Sequence, residues 1–227
     1  MTHEEQFEES PKYTNWRARL EKNQISIEAV KPLHVERTDD GEVLYALVHS
    51  STQTPEGHSL PPICFLKGDA VTMLVVLIDE QTGDKYVLLV QQRRIADGSL
   101  VIEHPAGMID EGDGTPADVA ARELKEETDL DVSPDELSLL SPQPWFSSSA
   151  STDERMYFFY VERRLPLSAI QAMHGKQTGE EAENEHTTLL VMSFPEAHRA
   201  VRNIHGVLGH LLYLHRIGDY KTMRMLG

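Results

Sequence analysis

Residues 107–130 read GMIDEGDGTPADVAARELKEETDL, a glycine-punctuated run leading into a short alanine-rich segment that carries Glu123, Glu126 and Glu127 close together. Thr115 fits a helix N-cap, Pro116 the first helical position and Asp118 the third. That is a capping-box pattern, with proline where its missing N–H costs nothing. On such a helix the three glutamates share a face, because residues three and four apart lie together. Like charges at that spacing repel. Val119, Ala120 and Leu124 turn inward, and the run from 107 to 114 reads as the loop between a strand and the helix. Two readings of the acidic face are open: a solvated surface relieved by Arg122 and Lys125, or a platform for a hard cation. Mg²⁺ is usually held by one or two protein carboxylates together with waters and substrate phosphates, so the second reading implies a phosphate-bearing substrate.

These residues resemble the Nudix box, whose pattern is Gly, five residues, Glu, seven residues, then Arg-Glu-apolar-x-Glu-Glu-x-Gly-apolar. Here Gly107 is followed by Asp113 and by Arg122-Glu123-Leu124-Lys125-Glu126-Glu127-Thr128-Asp129-Leu130. The chain departs from the pattern three times. Asp113 replaces the first glutamate, eight residues rather than seven separate it from Arg122, and Asp129 stands where the pattern has glycine. The extra residue falls in the loop around 112–115, where an insertion is tolerated. Asp129 falls at the helix C-terminus, where a left-handed conformation favours Gly but admits Asn and Asp. Upstream, Gln92, Arg94 and Glu103-His104-Pro105-Ala106-Gly107 resemble the segment ahead of the box in Nudix pyrophosphatases acting on ADP-ribose and ADP-sugars. Downstream, Gly175-Lys176-Gln177-Thr178-Gly179 and the acidic run Glu180, Glu181, Glu183, Glu185 resemble the plant-type ADP-sugar pyrophosphatase branch.

The resemblance implies an α/β fold, the Nudix α/β/α sandwich with a mixed sheet. It implies Mg²⁺-dependent hydrolysis of an ADP-sugar, ADP-ribose or ADP-glucose, to AMP and a sugar phosphate, with Mn²⁺ as the other candidate metal. Glu123, Glu127 and the Ala106 carbonyl are the implied metal contacts, with Glu126 and Arg122 in the catalytic set. Arg94 and Glu103 match substrate-binding positions. Arginine suits bidentate phosphate recognition, although Arg93 or Arg94 could equally pair with surface carboxylates. The base is expected from the acidic loop: Glu185 matches best, as metal contact or proton acceptor, with Glu183 in reserve. A homodimer contacting through N-terminal strands is also implied. Two rivals stay open: hydrolysis of another nucleoside diphosphate derivative (a UDP-sugar, NADH or a dinucleoside polyphosphate), and a non-catalytic nucleotide-sensing module.

Composition narrows the partners. A formal net charge of −16 over 227 residues argues against nucleic acid, and an anionic substrate must be drawn in by local basic residues and metal against an acidic field. Cys64, the single cysteine, reads as a buried core residue. The stretch MTHEEQFEES lacks the features of a secretory or transit segment, and no apolar run reaches membrane-spanning length, so cytoplasm is the expected location.

Along the chain, 1–62 reads as an accessory region: a helix over 14–23, then strands over 25–36 and 42–50 around the hairpin signal Asp39-Asp40-Gly41. A Thr, Gly and Pro-rich loop closes it, and 63–227 reads as the catalytic domain. Strands are expected at 70–78, 85–91, 100–103, 137–140, 156–161 and 188–192, and helices at 167–173, 195–203 and 207–215. His205, His210 and His215 recur five apart and are expected to drift around a helix surface rather than gather as ligands. His104 has two readings, a substrate contact at the mouth of the site or a structural residue. Residues 148–154 read as a flexible loop near the site. Trp145 and Phe146 either stack on adenine or pack.

Overall fold

The computed structural model describes residues 7–110, 112–179 and 186–226. The chain divides into two compact units: residues up to 69 with 145–155, and residues 70–144 with those from 156 onward.

In the first unit, α1 (Pro11–Lys22) precedes a three-stranded antiparallel sheet of β1 (Ser26–Arg37), β2 (Val43–Gln53) and β3 (Ile63–Leu66). The hairpin between β1 and β2 closes where Thr38 N donates to the Glu42 carbonyl at 3.0 Å, with Gly41 at φ +93°, a conformation that suits a residue without Cβ. Ala46 and Val48 on one face of β2 pack with Phe7, Tyr13, Trp16 and Leu66 into a small core. The boundary expected at 62/63 falls instead after Asp69. The reason is pairing: β3 hydrogen-bonds to β2, and Asp153 Oδ1 accepts from Lys67 N at 2.8 Å and Gly68 N at 3.1 Å. Cys64 is half-buried rather than a core residue, and burial followed by the nearby Asp153 pushes its thiol up to about 11.

The second unit opens with β4 (Ala70–Asp79), β5 (Lys85–Arg93), β6 (Leu100–Glu103), β7 (Ala106–Met108), α2 (Pro116–Thr128) and β8 (Ser138–Leu139). After β9 (Trp145–Phe146), which belongs to the first unit, come β10 (Arg155–Leu165), α3 (Leu167–Met173), β11 (Gln177–Thr178), β12 (Thr187–Ser193), α4 (Phe194–Ala200), α5 (Ile204–Ile217) and α6 (Tyr220–Met225). The main sheet runs β11-β12-β5-β4-β10-β8, with β6 on β5 and β7 on β4. It is mixed, since β10 is parallel to β4 while β5 and β7 are antiparallel to it.

Every residue of β4 is buried, so the strand has helices on both faces. Val71, Met73, Val75 and Leu77 pack with Val119, Ala120 and Leu124 of α2 and Ile170 of α3. Ala70, Leu74, Val76 and Ile78 pack with Phe194, Ala197, Tyr213 and Leu214 of α4 and α5. The α/β/α sandwich expected from the sequence is the architecture observed. Among the described residues no helix is long and apolar enough to cross a membrane.

Candidate active site

Helix α2 begins at a reciprocal pair: Thr115 Oγ1 accepts from Asp118 N at 3.3 Å, and Asp118 Oδ2 accepts from Thr115 N at 2.7 Å. Two backbone donors at the helix start are thereby satisfied. The helix ends at Asp129, which adopts the left-handed conformation at φ +59° and meets Lys176 Nζ at 2.6 Å. That hydrogen bond holds the Asp129 carboxyl below the usual carboxylate range and ties the Gly175–Gly179 segment to the helix end.

Strand β7 pairs with β4 through Gly107 and Val71, and α2 lies over it. A Cβ at Gly107 would stand 2.0 Å from Glu123 Cδ, so glycine is what lets Glu123 lie across the strand. One helical turn on, Glu127 is only 2% exposed. Its Oε2 accepts from Ala106 N at 3.0 Å, and its carbonyl accepts from Thr178 Oγ1 at 2.6 Å. Arg122 reaches Asp113 Oδ2 at 3.0 Å, Glu123 Oε1 at 3.4 Å and Glu126 Oε2 at 3.6 Å. Burial opposes the Arg122 charge, but Glu123, Asp113 and Glu126 outweigh it and raise its pKa. Asp113 also accepts from Asp110 N at 2.9 Å, so the lengthened loop folds back onto Arg122.

A second constellation lies just past the end of β5, on β6 and at the start of α5. Arg94 Nε donates to Glu103 Oε2 at 2.7 Å, and Asn203 Nδ2 donates to Glu103 Oε1 at 2.8 Å. Asn203 Oδ1 meanwhile accepts from Gly206 N at 2.8 Å, capping α5. The helix expected over 195–203 ends at Ala200, and Asn203, not among the expected site residues, starts the next helix. The signal was present, because asparagine before an apolar helical run is a favoured N-cap.

His104 is not at a site mouth. It is buried, its Nε2 lies 3.0 Å from His210 Nε2, and His210 Nδ1 lies 3.2 Å from His198 Nδ1. Burial pushes its imidazole down to about 3, so the ring is neutral near pH 7. Of the three histidines expected on a helix surface, His215 is exposed and His205 half-buried, but His210 is fully buried. It faces Phe194 and His104 because α5 turns that side to the sheet. Asp153 and Glu154, in the loop over 148–154, are structural within the first unit: Asp153 holds two backbone amides and Arg19, and Glu154 pairs with Lys67. Trp145 and Phe146 belong to that unit and are about half exposed, at 49% and 55%, so core packing is not their role.

Glu180, Glu181, Glu183 and Glu185 lie outside the described residues. The strands on either side of them are joined, since the Thr178 and Thr187 hydroxyls meet at 2.8 Å while Thr178 also bonds Glu127. As the side chains stand, no three His, Cys, Asp or Glu groups among the described residues gather as a metal site, and Glu123 and Glu126 face Arg122. The donor chemistry nonetheless fits a hard dication. Glu123, Glu126 and Glu127 offer only oxygens, and the bare Gly107 leaves Glu123 a place on the strand beside Ala106.

The NUDIX domain family matches residues 68–207. The chain is 29% identical over 164 residues to Nudix hydrolase 14, chloroplastic, of Arabidopsis thaliana, a match covering 69% of this chain and 52% of that protein. It is 37% identical over 93 residues to putative nudix hydrolase 2 of Caenorhabditis elegans, covering 40% of this chain and 36% of that one. The chain thus spans about half the length, or less, of these relatives. Its fold is shared with the crystal structure of an ADP compounds hydrolase, at a TM-score of 0.60 and 14% identity over 86% of this chain and 95% of that chain.

Proposed function

The chain belongs to the Nudix family, and on that premise we propose that it is a divalent-metal-dependent pyrophosphatase cleaving the diphosphate of an ADP-sugar, ADP-ribose or ADP-glucose, to AMP and a sugar phosphate. The observation that carries this reading is the inner face of α2. There Glu127 is buried and anchored to the Ala106 amide, Glu123 lies against Gly107, and Arg122 stands between Asp113, Glu123 and Glu126. Glu123, Glu127 and the Ala106 carbonyl, with Glu126, would hold Mg²⁺ or Mn²⁺; when bound, the metal neutralises diphosphate charge and lowers the pKa of water.

The chain's own groups do the rest. Arg94, oriented by Glu103 and Asn203, offers a guanidinium to a phosphate oxygen. Arg122 holds the loop bearing Asp113 against the helix, keeping the carboxylates in register. Glu185 is proposed as the group that takes the proton from attacking water, with Glu183 in reserve; both follow the short strand in which Thr178 bonds Glu127. An ADP-linked substrate is supported by the shared fold with a protein named for hydrolysing ADP compounds. A homodimer built through the N-terminal strands and a cytoplasmic location belong to the same proposal. The test is a substrate panel with Mg²⁺: ADP-ribose, ADP-glucose, UDP-glucose, NADH and a diadenosine polyphosphate, following AMP, UMP and phosphate. Preferential AMP release from an ADP-sugar supports the reading. Faster cleavage of UDP-glucose, NADH or the dinucleotide would move the substrate assignment, and binding without turnover would make the protein a sensor.

A further inference from the structure

The core face of β2 changes character along its length. Ala46 and Val48 are packed in the apolar core of the first unit, but Ser50 and Thr52, next on the same face, are hydroxyl residues that stay buried. Ser50 finds a partner in the Pro62 carbonyl at 3.3 Å. Thr52 Oγ1 has none among the described residues, although the residue is 5% exposed. An interior polar atom left without a partner costs free energy unless something else reaches it. Beside it lies a cavity of about 530 Å³, lined wholly by residues of the first unit. That volume is in the range of small-molecule pockets, roughly 300–1,000 Å³.

The lining combines two chemistries. Leu20, Pro61, Ile63 and Phe146 make apolar walls, and Ile63 and Phe146 are exposed at 43% and 55%. Arg19, Lys22 and Arg155 bring three cations, against the single carboxylate of Asp153. That carboxylate is already committed to Arg19 at 2.5 Å and to two backbone amides. Asp69 braces Arg155 at 3.0 and 2.5 Å, lies 3.7 Å from Arg19, and joins the same three cations in lining an adjoining cavity of about 320 Å³, so three cations stand against two carboxylates and leave one positive charge in surplus. A locally cationic, apolar-walled cavity in a chain of net charge −16 selects an anion with an apolar body. We propose that this cavity binds a small monoanionic ligand with a flat apolar body, an aromatic carboxylate in class, through residues other than those given to the diphosphate.

The test is equilibrium dialysis of the full chain against naphthoate, with naphthalene methanol as the uncharged counterpart. One saturable naphthoate site is expected, with at least about tenfold weaker binding of the alcohol, which cannot make a charge-assisted hydrogen bond to these cations. Lys22→Glu reverses an exposed charge and should weaken naphthoate about threefold to tenfold. Thr52→Val should weaken it too while leaving the melting temperature unchanged or raised, because the hydroxyl it removes has no partner among the described residues. Naphthoate should slow maleimide alkylation of Cys64, which lines the cavity. ADP-ribose should not compete, and Glu123→Gln should bind naphthoate as the unmodified protein does. Absence of saturable binding up to about millimolar ligand, equal binding of the alcohol, or indifference to Lys22→Glu would overturn the proposal. So would failure to protect Cys64 or displacement by ADP-ribose.

Discussion

Asn203 serves two structures with one side chain: its oxygen caps α5 at Gly206, and its nitrogen holds Glu103, which in turn orients Arg94. The two roles separate by substitution. Asn203→Ser keeps an N-cap oxygen, so stability should change little. It removes the donor to Glu103, and the KM for an ADP-sugar should rise about fivefold to tenfold with kcat nearly unchanged, the effect of removing one hydrogen bond behind the arginine proposed to meet phosphate. Steady-state kinetics beside a thermal melt decide this; a lowered melting temperature with unchanged KM would leave Asn203 as a cap alone. Gly107 is the other single residue on which the arrangement turns. Gly107→Ala puts a Cβ where Glu123 already lies, and either the carboxylate or the strand must move. Destabilisation of about 1–3 kcal/mol, in the range of overpacking, should accompany loss of turnover and be visible in denaturant unfolding.

Among the elements, α2 was the most legible, because its signals are local. Thr115, Pro116 and Asp118 marked its start, Val119, Ala120 and Leu124 its buried side, and Asp129 its left-handed end. Thr115→Ala breaks the reciprocal cap and should cost about 1 kcal/mol, read from the urea midpoint with Thr115→Ser as the retaining control. The run Ala70–Ile78, apolar apart from Thr72, likewise announced a buried strand. What the sequence did not disclose was partnership at a distance. Ile63–Leu66 looked like the start of the catalytic region, yet its pairing is with β2 and its exit is pinned by Asp153, 86 residues from Lys67. His210 was misread for a related reason: a five-residue spacing of histidines says nothing about which side of α5 the sheet covers.

For the whole molecule, acid sensitivity follows from that buried ring. Burial first, then His104 and His198, push the His210 imidazole down to about 2. In the unfolded chain it titrates near 6.5, so on acidification the unfolded state takes the proton first. The contribution of His210 to stability is therefore complete above about pH 6.5 and drains as pH falls below it, by up to about 1.4 kcal/mol per pH unit. Urea midpoints should fall between pH 7 and pH 5, and His210→Gln should flatten that slope; an unchanged slope would assign the loss to other groups. The candidate site was largely legible as a set of residues, since Arg122, Glu123, Glu126 and Glu127 came from the spacing of the box, and Arg94, Glu103 and Ala106 from the resembling segment ahead of it. Its supports were not, because Asn203 and the Thr178 hydroxyl reach it from later strands and helices. The direct measurement is AMP release from ADP-ribose with Mg²⁺ by the native protein and by Glu127→Gln, each with and without chelator. Chelator should abolish turnover, and Glu127→Gln should lower it by at least about a hundredfold in a protein that melts normally; a variant that turns over as fast as the native protein would contradict the assignment of α2 as the metal-holding face.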